Sequence, residues 1–281
     1  MPVAVVTDST AYLPVDALVD LPVEVVPVQV VIGGRAYDET DPEASPARVA
    51  QALRAWQPVT TSRPSPERFR QAFTEAAEQG ATAVVCATLS SRMSATFESA
   101  ELAAKEVDIP VHLVDSRTVG MGLGFAVLAG AQRAANGAEA DEVASLIERR
   151  ARASVSLFYV DTLEYLRRGG RIGAARAAMG QALQVKPILQ ILDGEVVPLE
   201  RVRTSSKAIA RLTELTLATT LGRSVEIAVQ HLDAADRADA LAATLAEALP
   251  HTRIVVCPLG AVVGAHTGPG IVASVVSPIL D

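Results

Sequence analysis

The chain has 281 residues, 49% of them hydrophobic and 20% charged, with a mean hydropathy of +0.28, a formal net charge of −7 and a pI near 5.2. That length exceeds the roughly 100–200 residues of one ordinary domain, so it predicts two packed halves with a cleft between them, and the apolar content excludes a disordered chain. The acidic balance, with no run of Lys or Arg, excludes a nucleic-acid surface, which draws its affinity from cations clustered against phosphate.

The opening "MPVAVVTDST" has no basic stretch followed by an apolar block, so no signal peptide is expected. Strand-like "VAVVTDS", "VEVVPVQVVI", "ATAVVCATLS" and "VHLVDS" alternate with helix-like "PARVAQALRAW" and "PERFRQAFTEAAEQ", the pattern of a parallel α/β domain. Their Val-rich runs are continuous, which predicts strands covered on both faces. Cys86 and Cys257 each follow two valines and read as buried strand thiols, so a reducing cytoplasm is the expected location.

A second pattern starts near residue 155, giving an expected N-terminal α/β domain over 1–155 and a C-terminal α+β domain over 156–281 whose last residues pack back on the first. In "DTLEYLRRGGRIG", Asp161 and Glu164 resemble a capping pair and Gly169 a helix stop. Asp193-Gly194, between two strand-like runs, is the strongest hairpin signal in the chain. Helix-like 205–220, strand-like 225–232, helix-like 235–249 and strand-like 253–259 follow. Residues 254–280 carry no Lys, Arg, Asp or Glu and are long enough to cross a bilayer, but Pro258, Gly260, Gly264, Gly268, Pro269, Gly270 and Pro278 punctuate them. They are expected to be buried, cleft-lining backbone, so no stable membrane span is expected, although transient membrane contact is compatible with the sequence.

In an open parallel sheet, ligands sit beyond the carboxyl ends of the strands. Hydroxyls gather there: Thr7, Ser9 and Thr10 after the first strand, Ser90, Ser91, Ser94 and Thr96 after the third, Ser116 after the fourth. Such residues cap helices, and in the same position they donate to a carboxylate or phosphate, so for Ser9, Ser94 and Ser116 both roles stay open. Ser65 as cap with Pro66 at the first turn leaves Thr61 and Ser62 spare. No G-x-S-x-G elbow or phosphate loop is present, and in "GMGLGF" the third glycine of a dinucleotide fingerprint would fall at Val127. His112, His231, His251 and His266 lack metal-ligand spacing, so neither a metal nor a cofactor is expected. Arg167, Arg168 and Arg171, and further on Arg201, Arg203 and Lys207, either complement a helix dipole or dock an acidic partner. An enzyme using Ser94 as nucleophile and His266 as base for acyl or phosphoryl transfer is the competing reading, with Asp8 or Asp115 to orient the imidazole.

Taken in order, "TDST", "TTSRPSP", "LSSRMSATFESA", "DTLEYLRRGGRIG", "KPIL" followed by "DGEVVPLERVRT", and "HTGPG" resemble the DegV family of bacterial fatty-acid-binding proteins over essentially the whole chain. The resemblance implies a two-domain α/β fold that holds one long-chain fatty acid in a buried tunnel, with its carboxylate at the domain interface bound by Thr61, Ser94 and His266. Ser62, Ser9 and Ser116 are secondary candidates. It also implies that the chain is the lipid-carrying subunit of a fatty acid kinase in phospholipid synthesis. A separate ATP-binding subunit, docked through Arg171 and Arg203, would phosphorylate the carboxylate. The sequence departs from the family pattern at Ala95 and Phe97, where Gly and Tyr are usual.

Overall fold

The computed structural model describes residues 2–19, 21–175 and 186–280. The first half is built on a parallel sheet of β1 (Val3–Asp8), β2 (Val23–Val26), β6 (Ala83–Thr88) and β7 (Val111–Asp115), in the order β2-β1-β6-β7. Both faces are covered, as continuous valine runs require. Phe69 and Phe73 of α2 (Pro66–Glu78) and Ala100 of α3 (Thr96–Ala104) pack on one side with Val6 and Val84. On the other, Leu123 and Val127 of α4 (Met121–Ala135) and Val143 and Ile147 of α5 (Ala140–Ala153) pack on Val5 and Val85.

"VEVVPVQVVI" is not one strand. Pro27, which has no N–H for a ladder, falls between β2 and β3 (Gln29–Ile32). β3 leaves the parallel sheet and pairs antiparallel with β4 (Arg35–Asp38) and β5 (Val59–Ser62), placing Thr61 opposite Val30. Thr61 and Ser62 are therefore strand residues, not loop ones. Ser65 does stand at the start of α2, but its hydroxyl makes no capping bond.

The second half is a sheet in the order β10-β9-β8-β13-β11-β12. Its strands are β8 (Val155–Tyr159), β9 (Lys186–Leu192), β10 (Glu195–Val202), β11 (Val225–His231), β12 (Arg253–Pro258) and β13 (Val272–Pro278). Only β11 and β12 pair in parallel. One face is covered by α7 (Ser205–Thr220) and α8 (Ala235–Ala248), through Leu212, Leu241 and Leu245. The hairpin at Asp193-Gly194 forms as expected, with both residues at positive φ (50° and 84°). Its tip reaches the first half, where Ser90 donates to the Gly194 carbonyl at 2.8 Å.

Two short helices complete the second half, α6 (Glu164–Arg168) and α9 (Ala261–Thr267). The small sheet β4-β3-β5 and α1 (Pro46–Arg54) pack against α9, Val30, Val49 and Leu53 sharing a core with Ala261 and Ala265. The chain-order halves thus interlock. A buried Arg150 from α5 adds to this by donating to Ser277 at 3.1 Å and pairing with Glu226. The charge-free stretch resolves into β12, α9 and β13, and every residue of β13 is buried. Among the described residues no helix is long and apolar enough to cross a membrane.

Candidate functional site

One face of the second sheet is left uncovered by α7 and α8, and a cavity lies between it and the loops of the first half. Period-2 alternation puts Ser156 and Phe158 of β8, Gln230 of β11, and Ala273 and Val275 of β13 on its floor. Leu89 and Met93, beyond the carboxyl end of β6, and Val262 and Val263 of α9 form walls. The atom-free space is about 1120 Å³, open mouth included. At the mouth stand Thr61, Ser62, Arg63, Ser94, Arg171 and His266, of which Ser62, Arg63 and Arg171 are exposed.

Three distant segments meet there. Thr61 Oγ1 and His266 Nε2 lie 2.8 Å apart. Ser94 lines the same cavity and shares a 2.8 Å hydrogen bond with Thr96 Oγ1. It makes no helix-capping bond. Ala95 has φ −77°, an ordinary right-handed value, so alanine in place of the usual glycine introduces no backbone strain.

His266 is held by what surrounds it. Burial, and secondarily the nearby Arg171 cation, push its pKa down to about 4, so the imidazole is neutral near pH 7. Its Nδ1 is buried without a hydrogen-bond partner and lies against Gly169, where any Cβ would fall on the ring. With Nδ1 bare, the tautomer protonated on Nε2 avoids an orphaned buried N–H, and in it Nε2–H is directed at Thr61 Oγ1. Gly169 does end α6, as expected, but in a right-handed conformation (φ −74°); the left-handed residue is the next one, Gly170 at +71°.

The glycines of "HTGPG" make room for side chains of "DTLEYLRRGGRIG". A Cβ on Gly268 would lie inside the Tyr165 ring, and one on Gly270 would meet the Asp161 carboxylate. The two motifs interlock. Asp161 consequently does not pair with Glu164 in a capping box; it accepts from the Tyr159 hydroxyl and faces Arg237 and Lys186, while Glu164 pairs with Arg167 and Arg168.

The other end of α9 is fixed by Glu39, a residue the sequence reading passed over. Its carboxylate accepts from Val262 N at 2.8 Å, from the Tyr12 hydroxyl at 3.1 Å and from Ser9 Oγ at 2.5 Å, and Tyr12 in turn accepts from Val263 N at 3.2 Å. Burial outweighs these three donors and pushes the Glu39 pKa up to about 7. Nothing local in "YDETDPEAS" marks Glu39; its partner is Gly260, where a Cβ would overlap the Glu39 carboxylate and the Tyr12 ring.

The remaining candidates lie elsewhere. Ser9 is outside the cavity lining, its hydroxyl spent on Glu39 and Val28 N. Ser116 is buried in its own turn, bonded to Thr118 N and O at 3.2 Å. Arg171 stands at the mouth, donating to the carbonyls of Met93 and Gly169. Arg203 is exposed just past β10, at the far end of that strand from the cavity-lining Val196. Asp8 binds Thr10 and Leu89 N, and Asp115 binds Ser91 and Arg117. Neither orients His266, so no Ser–His–Asp relay forms. Among the described residues no three His, Cys, Asp or Glu gather as metal ligands.

Comparison with known proteins places this geometry. A DegV domain-containing protein of Streptomyces coelicolor is 50% identical over 276 residues, covering 98% of each chain. A solved fatty-acid-binding DegV-family protein from Thermus thermophilus superposes with a TM-score of 0.93 at 35% identity, over 99% of this chain and 100% of that one. DegV of Bacillus subtilis, a fatty acid binding protein, gives 0.90 at 32% identity, over 99% and 100%. The model of the uncharacterised proteins of the DegV family matches residues 2–278, and the chain belongs to that family.

Proposed function

We propose that the chain binds one long-chain fatty acid, its alkyl tail in the cavity and its carboxylate at the mouth between Thr61, Ser94 and His266. The observation that carries this is a cavity with a largely apolar lining and Thr61, Ser94 and His266 together at one rim. Each methylene removed from water contributes about 0.8 kcal/mol, so a 16-carbon tail contributes on the order of 10 kcal/mol before association costs. The tail supplies affinity, and the rim fixes orientation. A carboxylate there accepts from Thr61 Oγ1, Ser94 Oγ and His266 Nε2, breaking the Thr61–His266 bond to do so.

The solved relatives named above are fatty acid binders, which supports the ligand class. The polar end opens to solvent beside Arg63 and Arg171, as it must if a separate ATP-dependent kinase subunit phosphorylates the carboxylate. In this reading the chain is a cytoplasmic carrier, with Arg171 and Arg203 as docking positions.

Native mass spectrometry of purified protein, followed by titration of the delipidated form with hexadecanoic acid, tests the ligand; no co-purifying lipid and no binding would refute it. Reconstitution with an ATP-binding kinase subunit tests the rest. Charge reversal at Arg171 or Arg203 is expected to slow acyl phosphate formation without displacing lipid. Unchanged rates in both variants would remove them as docking sites.

A further inference from the structure

The end of the cavity farthest from His266 is not purely aliphatic. Ser156 lies on its floor, paired across β8 and β13 with Val275, and its hydroxyl is buried with no hydrogen-bonding protein partner. Gln230, 1% exposed, lines the same end one row nearer the mouth. Its Oε1 accepts from Met121 N at 3.0 Å, but its Nε2 reaches only the weak acceptor Cys257 Sγ at 3.5 Å. Behind Ser156 stands a second unpartnered hydroxyl, Thr118 Oγ1. The two hydroxyls lie 3.3 and 2.6 Å from the point where a Cβ on Gly122 would be. α4 closes the cavity here, Met121 and Phe125 packing on Val275 and Ala228.

An alkyl chain ending against this floor would leave the Ser156 hydroxyl without a partner. Sites that present buried donors and acceptors discriminate strongly against ligands lacking the matching group, because the site's own polar atoms are then left unpaired. We propose that the closed end of the cavity recognises a hydroxyl carried on the acyl chain, making the preferred ligand a hydroxylated long-chain fatty acid. The ligand hydroxyl pairs with Ser156 Oγ, the group without a partner; Gln230, on the far side of β13 with its Nε2 turned to Cys257, only adds to the polarity of this end. This rests on the fatty-acid reading above and deepens it.

The test is calorimetric titration of delipidated protein with hexadecanoic acid and a positional series of monohydroxylated hexadecanoic acids. At least one position is expected to bind on the order of tenfold tighter than the parent acid, and Ser156→Ala is expected to bring that ratio close to one. Binding of the parent acid with no hydroxylated member tighter overturns this inference alone, whether or not an ordered water then occupies Ser156. A preference that survives unchanged in Ser156→Ala also overturns it. Failure of every acid to bind overturns it together with the fatty-acid reading. Should Ser156→Ala not fold, the wild-type series decides.

Discussion

Gly169→Ala probes the rim through one atom. The backbone at Gly169 is right-handed (φ −74°, ψ −7°), a conformation alanine adopts without strain and with a gain of about 0.4–1 kcal/mol over glycine. Against that gain, the new Cβ falls on His266 Nδ1 and within 3.0 Å of Cε1, an overpacking that costs about 1–3 kcal/mol. Global stability should therefore change by no more than about 2.6 kcal/mol, and the protein should remain folded. Binding should change much more. The ring relieves the clash by turning, which takes Nε2–H off the mouth, and losing a hydrogen bond to a charged carboxylate costs about 1.5–3 kcal/mol, or roughly 10- to 150-fold in Kd. The assay is calorimetric titration with hexadecanoic acid, paired with thermal unfolding, on wild type, Gly169→Ala, His266→Ala and the double variant. Without the imidazole the Cβ has room, so in the double variant Gly169→Ala should cost no affinity and its gain of about 0.4–1 kcal/mol should show as added stability. Unaltered binding by Gly169→Ala, or equal weakening with and without His266, would refute the idea that this glycine exists to seat the ring.

His266→Ala alone should retain lipid, since the tail supplies most of the affinity, but should slow acyl phosphate formation by a reconstituted kinase; an unchanged rate would remove His266 from presentation. Stability should depend on pH through Glu39, whose carboxyl ionises near 4.5 unfolded and about 7 folded. The folded state holds this proton longer, so the stability it contributes is fully present below pH 4.5 and is lost as pH rises through about 7, roughly 3 kcal/mol in total. In urea unfolding, Glu39→Gln should therefore improve relative to wild type from about pH 5 to pH 8, and parallel curves would refute the assignment. His266 acts with the opposite sign: with its pKa depressed from 6.5 to about 4, its contribution is present above pH 6.5 and is lost as pH falls through 4, so His266→Ala should flatten the acid limb. Gly194→Ala combines a positive φ of 84° with a Cβ that would overlap the Ser90 hydroxyl and lie 3.1 Å from Arg117 Cδ, and should cost about 1–3 kcal/mol in thermal unfolding; a cost below about 0.5 kcal/mol would mean the hairpin tip shifts freely.

The sequence conveyed what is periodic or chemically local. Valine runs announced covered strands, and Asp193-Gly194 announced a hairpin, because each is decided within a few residues. Pro27 is equally legible: a proline inside "VEVVPVQVVI" argues against a continuous strand, and the break there separates β2 from β3, the strand that pairs with β5 and Thr61. What no local pattern shows is pairing between distant motifs. Gly169 ends α6 as its place in the sequence suggests, but it and the "HTGPG" glycines also make room for side chains from distant segments, and Glu39 caps a helix more than two hundred residues away. Glycine reports a close approach without naming what approaches.

The location of those approaches explains how weak elements hold a precise rim. α9 has seven residues, too few to persist alone, since isolated helices shorter than roughly 12 residues are marginal in water. Its direction is imposed at the N-terminus by Glu39 and Tyr12 from the first half, and at the C-terminus by Tyr165 and Asp161 against Gly268 and Gly270. Thr61 comes from the small sheet that shares a core with α9, and Ser94 from a loop anchored by Ser91 to Asp115 of β7 and by Ser90 to the Thr118 carbonyl. Each rim donor thus belongs to a different unit, and its position relative to the others is set only by contacts between units. A ligand that bridges Thr61, Ser94 and His266 must then stabilise those contacts by its own binding free energy, RT ln(1 + [L]/Kd). Loosening any of them, through Gly260, Glu39 or Tyr12, must weaken binding by the same linkage, although none of the three lines the cavity.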